Sequence, residues 1–237
     1  MRELSWDGSL NVRDLGGLPL QDGGETARGR VARSESPGYL SERGWRELSE
    51  HGVRTLIDLR CPSEPAYEAR NGVVRLARPL FRFDDEELSA RVRGLRDTGA
   101  FYRVLVEYCH RPIAGAVAAV ADAPPGGVLV HCHAGRDRTG IVCALLLSLA
   151  GVREAAVADD YVATEASLRP RFEEELRAAE TEEERSWIRR VHRARGEFIL
   201  GALEAVGDVR EYLLAGGADA EQLERARARL VPLQAIE

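Results

Sequence analysis

The sequence predicts an α/β protein with a largely parallel central sheet flanked by helices. Three segments have the composition of strands: VRTLIDL at 53–59, VVRLARPL at 73–80 and GVLVHC at 127–132. Helical patterns separate them, and alternation of strands with helices is typical of a parallel sheet. The chain has 237 residues, of which 44% are hydrophobic, which suffices for one large core. We therefore expect a single domain over residues 1–237.

The individual elements are predicted from their boundary residues. A first helix, SERGWRELSEHG at 41–52, begins with Ser41 as its N-cap and ends at Gly52. The strand at 127–132 is nearly all apolar and follows PPGG, so we expect it to be buried. The next segment, TGIVCALLLSLAGV at 139–152, is predicted to be a buried helix with Gly151 at its C-cap.

The chain changes character after Tyr161, where Pro170 interrupts it and an acidic helical segment follows. Thr181 and Glu184 have the spacing of a capping box. Helical spacing then places four side chains on one face: Trp187, Val191, Ala194 and Phe198. The pattern predicts one amphipathic helix from Thr181 to Leu200 with a basic side. Packing on the core is one interpretation, and a lid over a site is the other. We expect a core at about 10–165 and a helical lid with further C-terminal helices at about 166–237.

Charge and cysteine content exclude several classes of protein. The 33 basic residues are all arginine and are outnumbered by 39 acidic ones, for a net charge of −6, which argues against a nucleic-acid binder. Four cysteines without a CxxC pair indicate reduced thiols. The N-terminal segment lacks the apolar region of a signal peptide, and the longest apolar run is too short to span a bilayer. We expect a cytoplasmic protein without stable membrane insertion, with secretion by another route left open.

The segment HCHAGRDRTG at 131–140 leaves the buried strand and enters the buried helix. Backbone N–H groups and the positive helix end converge there, which makes an anion-binding cradle. Cys132 is expected at its floor, where the helix end and Arg138 favour the nucleophilic thiolate. Arg138 offers a planar, two-pronged donor to phosphate oxygens. Gly135 supplies the backbone freedom that such a loop requires.

The remaining loop residues have predicted roles around this centre. Thr139 has a hydroxyl within plausible reach of the sulfur, where it would steady the leaving thiolate. His131 is expected to make structural hydrogen bonds behind the loop. The other predicted substrate-binding positions are His133, Ala134, Gly135 and Arg136. For Cys61, Cys109 and Cys143 we expect buried, inert thiols.

Other kinds of site fit these residues less well. His131, Cys132 and His133 could bind zinc, but adjacent residues rarely coordinate one metal and a fourth ligand at ordinary spacing is absent. We therefore expect neither a metal nor a cofactor. A rhodanese-like sulfurtransferase also holds a cysteine in an anion loop, although the glycine and arginine spacing better suits a tetrahedral phosphate. A phosphate-binding pseudophosphatase without turnover is a further alternative.

The loop contains the Cys-x5-Arg signature of protein tyrosine phosphatases. Its form HCxAGxDRTG resembles the bacterial family typified by mycobacterial protein tyrosine phosphatase B. Further similar segments are NVRDLGG at 11–17, VARSESPGYLSERGWREL at 31–48, DLRCPSE at 58–64 and DDYVAT at 159–164. The resemblance covers roughly residues 10–165 and implies a tyrosine phosphatase-like fold. It departs at Arg136, where the family often has lysine, so the finer substrate preference is open.

The resemblance implies that Cys132 forms a phosphocysteine, that Arg138 clamps the phosphate and that Asp137 is the general acid. The chemistry also asks for such an acid, because a departing alkoxide or phenolate needs a proton. Asp84 and Asp85 are rivals, since many related phosphatases hold their acid upstream of the loop.

Asp58 and Arg60 end a strand on the side where α/β sites form, and we interpret them as supports for the loop. The substrate expected is phosphotyrosine, and phosphoserine, phosphothreonine and phosphoinositides stay open.

Overall fold

The computed structural model describes residues 2–231, and a five-stranded sheet lies at its centre. The strands are β1 (Arg13–Asp14), β2 (Val31–Ser34), β3 (Val53–Asp58), β4 (Val74–Ala77) and β5 (Gly127–His131). Their order across the sheet is β1-β2-β5-β3-β4. Only β1 pairs antiparallel, while β2, β3, β4 and β5 run parallel. The predicted, largely parallel sheet is confirmed.

The parallel strands end at one edge of the sheet. Ser34 of β2 and Asp58 of β3 both pair in register with His131 of β5. The residues that follow these three positions therefore emerge side by side. This carboxyl edge is where sites form in open α/β sheets.

Eleven helices flank the sheet within the described residues. They are α1 (Glu42–Glu50), α2 (Glu86–Val92), α3 (Thr98–Tyr108), α4 (His110–Asp122), α5 (Asp137–Leu149), α6 (Glu154–Ser167), α7 (Arg169–Ala178), α8 (Glu182–Val191), α9 (Gly196–Val206), α10 (Val209–Ala215) and α11 (Ala220–Leu230). No single one of them is long and apolar enough to cross a membrane; α3 and α4 reach that length and hydropathy only together, across a bend of 79°.

Side chains alternate between the two faces of the sheet, as strand geometry requires. Leu129 of β5 packs with Trp45 and Leu48 of α1 in a smaller cluster. Val128 and Val130 face the larger cluster, to which most of the remaining helices contribute. Strand β5 is thus covered on both sides, in agreement with its predicted burial.

The helix boundaries follow the predicted caps closely. Ser41 caps α1, its Oγ accepting the N–H of Gly44 at 3.1 Å. Helix α5 ends at Leu149 with Ala150 as the C-cap, and Gly151, at φ +81°, is one residue beyond. The predicted C-cap was therefore one residue late.

Other strand predictions were incomplete. The segment 73–80 forms only the edge strand β4, because Pro79 has no N–H to continue the ladder. Strands β1 and β2 were not predicted. Both carry buried arginines, Arg13 and Arg33, which disguise them among apolar strands.

The prediction of one helix from Thr181 to Leu200 was wrong. The predicted capping box at Thr181 and Glu184 is present, but α8 ends at Val191 and α9 begins at Gly196. Between them the N–H of Ala194 bonds the Oε2 of Glu165 at 2.9 Å, so it is not available to a helical carbonyl. Helix α9 packs in the core through Ile199 and Ala202, so the lid stays a prediction for α7 and α8 alone.

Candidate active site

The loop between β5 and α5 places Cys132 immediately after the carboxyl end of the central strand. The side chain is buried, with 2% exposure. Gly135 has φ +68°, and a Cβ there would lie 2.2 Å from the carbonyl oxygen of Ser34. Glycine is therefore required at this position on two grounds, backbone conformation and space.

Four buried residues behind the loop form what we call the loop floor: Asn11, Arg13, Arg33 and Asp160. The Nδ2 of Asn11 donates to the carbonyls of Ala134 at 3.0 Å and Gly135 at 3.1 Å. Arg33 Nη2 also donates to the Gly135 carbonyl, at 2.7 Å. Because peptides are trans, the N–H groups of Gly135 and Arg136 point away from the floor. The loop floor thus orients an anion-binding set of amides.

Asp160 of α6 holds the loop floor together. Its carboxylate accepts Arg33 Nη1 at 2.7 Å and Arg13 Nε at 3.0 Å, and Arg2 pairs with it as well. Arg13 in turn donates to Asn11 Oδ1. Burial alone would raise the pKa of Asp160, but the charges of Arg13, Arg33 and Arg2 hold it well below its usual range. The carboxylate is therefore ionised at neutral pH and compensates the buried guanidinium groups.

Arg138, in the first turn of α5, pairs with Glu64. Its Nη1 and Nη2 donate to Glu64 Oε2 and Oε1 at 2.5 and 2.9 Å, with both side chains less than 10% exposed. A guanidinium has five N–H donors, so the Nε side remains for a phosphate. Glu64 itself accepts the N–H of Cys61 at 2.6 Å. The pair fixes the plane of Arg138 before any ligand binds.

Asp137 lies at the start of α5, beside the loop. Tyr102 donates its hydroxyl to Asp137 Oδ1 at 2.7 Å, and the Tyr161 hydroxyl lies 2.7 Å from that of Tyr102. Arg136 Nε and Nη2 approach the two carboxylate oxygens at 3.1 Å each. Burial acts to raise the pKa of Asp137, but Arg136 and the hydrogen bonds outweigh it and lower the pKa. The Arg136 guanidinium therefore pairs with the Asp137 carboxylate and does not face the anion-binding loop alone.

His131 is completely buried, and burial lowers its pKa to about 4. The imidazole is neutral, so Nδ1 donates to the Cys132 carbonyl at 3.2 Å and Nε2 accepts the hydroxyl of Tyr67 at 2.7 Å. The Tyr67 ring lies beneath the guanidinium of Arg60 at 4.7 Å. His131 thus links the loop to residues after β3.

Asp58 and Arg60 form a buried pair beside this link. Arg60 Nε and Nη2 each donate to Asp58 at 3.0 Å, and Arg75 adds a bond at 2.7 Å. Burial would raise the pKa of Asp58, but Arg60 and His131 lower it to about 2. The pair supports the loop through Tyr67 and His131.

The remaining predicted residues occupy the loop and its edge. Thr139 is completely buried, and its Oγ1 has no hydrogen-bond partner among residues 2–231. His133 is exposed, with Nε2 at 3.5 Å from the Tyr39 hydroxyl. All four cysteines are free and buried. No group of three or more potential metal ligands occurs in the described part of the chain.

The two rival acids already have local partners. Asp84 is exposed and pairs with Arg82 at 2.8 Å. Asp85 caps α2 through the N–H of Leu88 at 3.0 Å and accepts the Tyr108 hydroxyl at 2.9 Å. Their segment still approaches the site, since the rings of Phe81 and Phe83 lie 5.3 and 6.0 Å from the guanidinium of Arg138.

Helices α7 and α8, Arg169–Val191, form a layer that we call the cover. Arg171 Nη2 lies 2.7 Å from the buried Oε2 of Glu35, and its guanidinium stacks 4.2 Å from the Tyr39 ring. Glu35 follows β2, and Ser36 bonds the carbonyl of His133 at 2.8 Å. The cover is therefore fastened beside the loop.

Sequence reasoning missed the residues that orient the site from a distance. Glu64, Asn11, Arg33 and Asp160 lie in segments recognised as similar, yet their contacts join parts of the chain up to 158 residues apart. Tyr102 lies in no such segment. The sequence contains one signal for such residues, which is the presence of charged side chains within or next to short apolar strands.

The fold and the site together define an α/β protein with a buried cysteine, followed by an arginine six residues later, in a loop at the carboxyl edge of a parallel sheet. The chain belongs to the tyrosine phosphatase family, whose sequence profile matches residues 4–232.

Two curated relatives support this assignment. A protein of Cupriavidus necator named as a tyrosine-protein phosphatase is 30% identical over 169 residues, which cover 68% of this chain and 62% of that protein. A tyrosine-protein phosphatase of Nostoc commune is 31% identical over 135 residues, 54% of this chain and 46% of that protein. The chain thus spans about half to three fifths of the length of these relatives.

Proposed function

We propose that this protein hydrolyses phosphate monoesters, with phosphotyrosine as its main substrate, in two steps through a phosphocysteine. The observation that carries the proposal is the loop floor. Asn11 and Arg33 bind the carbonyls of Ala134 and Gly135, which leaves the amides and Cys132 on the open side. A dianion is the ligand that such a cradle favours.

In the first step the Cys132 thiolate attacks phosphorus, the ester bond to the leaving oxygen breaks, and Asp137 gives that oxygen a proton. Arg138, held by Glu64, binds the equatorial phosphate oxygens. In the second step Asp137 takes a proton from water, which attacks phosphorus and releases Cys132. The unpaired Oγ1 of Thr139 supplies a donor to the departing thiolate.

The lowered pKa of Asp137 has a consequence for this role. Without substrate the carboxyl is mostly ionised at neutral pH. A bound phosphate dianion adds negative charge and competes for Arg136, and both effects raise the pKa. We therefore expect esters with poor leaving groups to be hydrolysed best on the acidic side of neutrality.

The finer specificity is part of the proposal. The loop form supports membership of the subgroup typified by mycobacterial protein tyrosine phosphatase B, and phosphoserine, phosphothreonine and phosphoinositides are its candidate further substrates. The four free cysteines support a reducing compartment such as the cytoplasm. The profile match over 4–232 supports one phosphatase domain.

The test is phosphate release from aryl, alkyl and inositol phosphates by the wild type and by Cys132→Ser. The variant should fold, bind a phosphopeptide and turn over no ester. Cys143→Ala, a change to another buried cysteine outside the loop, is the matched control and should remain active. Activity in Cys132→Ser, or loss of wild-type activity on adding a chelator, would contradict the mechanism. Conversion of thiosulfate and cyanide to thiocyanate without phosphate release would favour a sulfurtransferase.

A further inference from the structure

A cavity of about 260 Å³ lies next to the loop, between the segment before α3, the start of α5 and helix α8 of the cover. Its polar walls include Arg96, Arg136, Arg190 and Asp137, and its apolar walls include Phe101 and Trp187. Trp187 is 56% exposed, which is unusual for a residue predicted to face the core. No step of the mechanism above uses Arg96, Arg190 or Trp187.

Two of these arginines have unpaired side chains. Among residues 2–231 the side chain of neither Arg96 nor Arg190 makes a hydrogen bond or an ion pair, and the two residues come from different elements. The neighbouring acid, Asp97, caps α3 through the N–H of Ala100 at 2.6 Å. In a chain of net charge −6, the cavity therefore combines a positive rim with aromatic walls.

Asp137, the proposed general acid, is also part of the cavity wall and so connects the cavity with the proposed reaction. A general acid must lie within hydrogen-bond reach of the leaving oxygen. Because Asp137 also lines the cavity, the group attached to that oxygen extends towards the cavity walls. A phenyl ring packs favourably on Phe101 and Trp187. Arg96 and Arg190 then face the part of the substrate to which the ring is attached.

We propose that this cavity is the leaving-group subsite, and that Arg96 and Arg190 select phosphotyrosine flanked by an acidic residue of a peptide. The proposal rests on the proposed phosphatase activity and specifies its substrate class. The apolar walls favour an aromatic ring over the hydroxyl-covered ring of an inositol phosphate. Exposed arginines select by charge, so the preference should weaken with salt.

The experiment compares KM for two phosphotyrosine peptides, one with aspartates beside the phosphotyrosine and one with asparagines there. Arg190→Gln and Arg96→Gln should each raise KM for the acidic peptide about 3- to 5-fold relative to the neutral one. Arg189→Gln is the matched control, because Arg189 lies next in the same helix and pairs with Glu182 at 2.6 Å. It should leave the ratio of the two KM values unchanged.

Three results would refute the assignment of this cavity as the leaving-group subsite. The first is an unchanged KM ratio in both Arg190→Gln and Arg96→Gln. The second is an equal change in Arg189→Gln. The third is a loss confined to phosphoinositide in vesicles, which would assign the cavity to inositol phosphates. Failure of the wild type to release phosphate from either peptide would instead refute the proposed function, so the two failures are distinguishable.

Discussion

The loop floor and the cover both lie next to the same loop, yet they are built differently. In the loop floor, Arg13, Arg33 and Asp160 are at most 2% exposed, and the Asp160 carboxylate pairs with both arginines. In the cover, α7 has no buried residue and α8 has only Ile188. Buried ion pairs are intolerant of change, whereas exposed ones contribute little stability. From this comparison we predict that the loop floor fixes the geometry of the loop and that the cover limits access to it.

The largest effect on activity is expected for Asp137, the proposed general acid, which lies beside the loop that the loop floor orients. Asp137→Asn should slow hydrolysis of phenyl phosphate by about 10² to 10⁴, with much less effect on p-nitrophenyl phosphate, whose leaving group scarcely needs an acid. The basic limb of the pH profile should disappear, because the group that loses its proton there has been removed.

The controls for that prediction are the exposed carboxylates of the upstream segment. Asp84→Asn and Asp85→Asn should stay near wild type on both esters. If either shows the leaving-group dependence while Asp137→Asn does not, the acid lies on the upstream segment and the assignment to Asp137 is wrong.

The second prediction concerns stability. Asp160→Asn removes the charge shared by the loop-floor arginines and should lower the free energy of unfolding by about 3–5 kcal/mol. Glu175→Gln in the cover is the counterpart, since Glu175 pairs with His192 at 2.7 Å but is 42% exposed. Its cost should be about 0–1 kcal/mol. Urea unfolding of both variants measures the contrast, and equal costs would refute it.

The third prediction tests whether the cover limits access. Arg171→Gln removes the charge that binds Glu35 and should speed inactivation of Cys132 by hydrogen peroxide up to about 5-fold, as expected for a loss of up to about 1 kcal/mol. Arg177→Gln, an exposed change in the same helix, is the control, because among residues 2–231 the Arg177 side chain bonds only the carbonyl of Glu173. An unchanged rate in Arg171→Gln would mean that α7 and α8 only pack on the surface.

The smallest expected effect is a pH dependence of the same contact. Burial raises the pKa of Glu35 to about 7, against the opposing influence of the Leu10 amide and Arg171. Protonation removes the charge that attracts Arg171, so the contact is strong above pH 7 and weakens as pH falls through 7. Acrylamide quenching of Trp187 on α8 should therefore increase from pH 8 to pH 6, and Glu35→Gln should abolish that change. A wild-type signal that is flat across this range would contradict the role of Glu35.

The parts of the fold and site that could be predicted from the sequence are those that local residues specify. Strands β3 and β5 and helices α1 and α5 were predicted because local apolar runs and caps specify them. The consecutive residues 131–139 were predicted as a site because one loop contains them all. Glu64, Tyr102 and Asp160 were not, because their roles arise from contacts across the fold. The break between α8 and α9 was missed for the same reason, since Glu165 of α6 accepts a hydrogen bond from the backbone N–H of Ala194.

The pairing of Arg138 with Glu64 bears on how the product departs. One edge of the guanidinium is already committed to a carboxylate, so inorganic phosphate is held by only part of the available donors. The same carboxylate also repels the dianion across the arginine. We expect Glu64 to weaken the binding of the phosphate product by the proposed clamp and so to speed its release. Inhibition by inorganic phosphate should then depend on Glu64 as well as on Arg138.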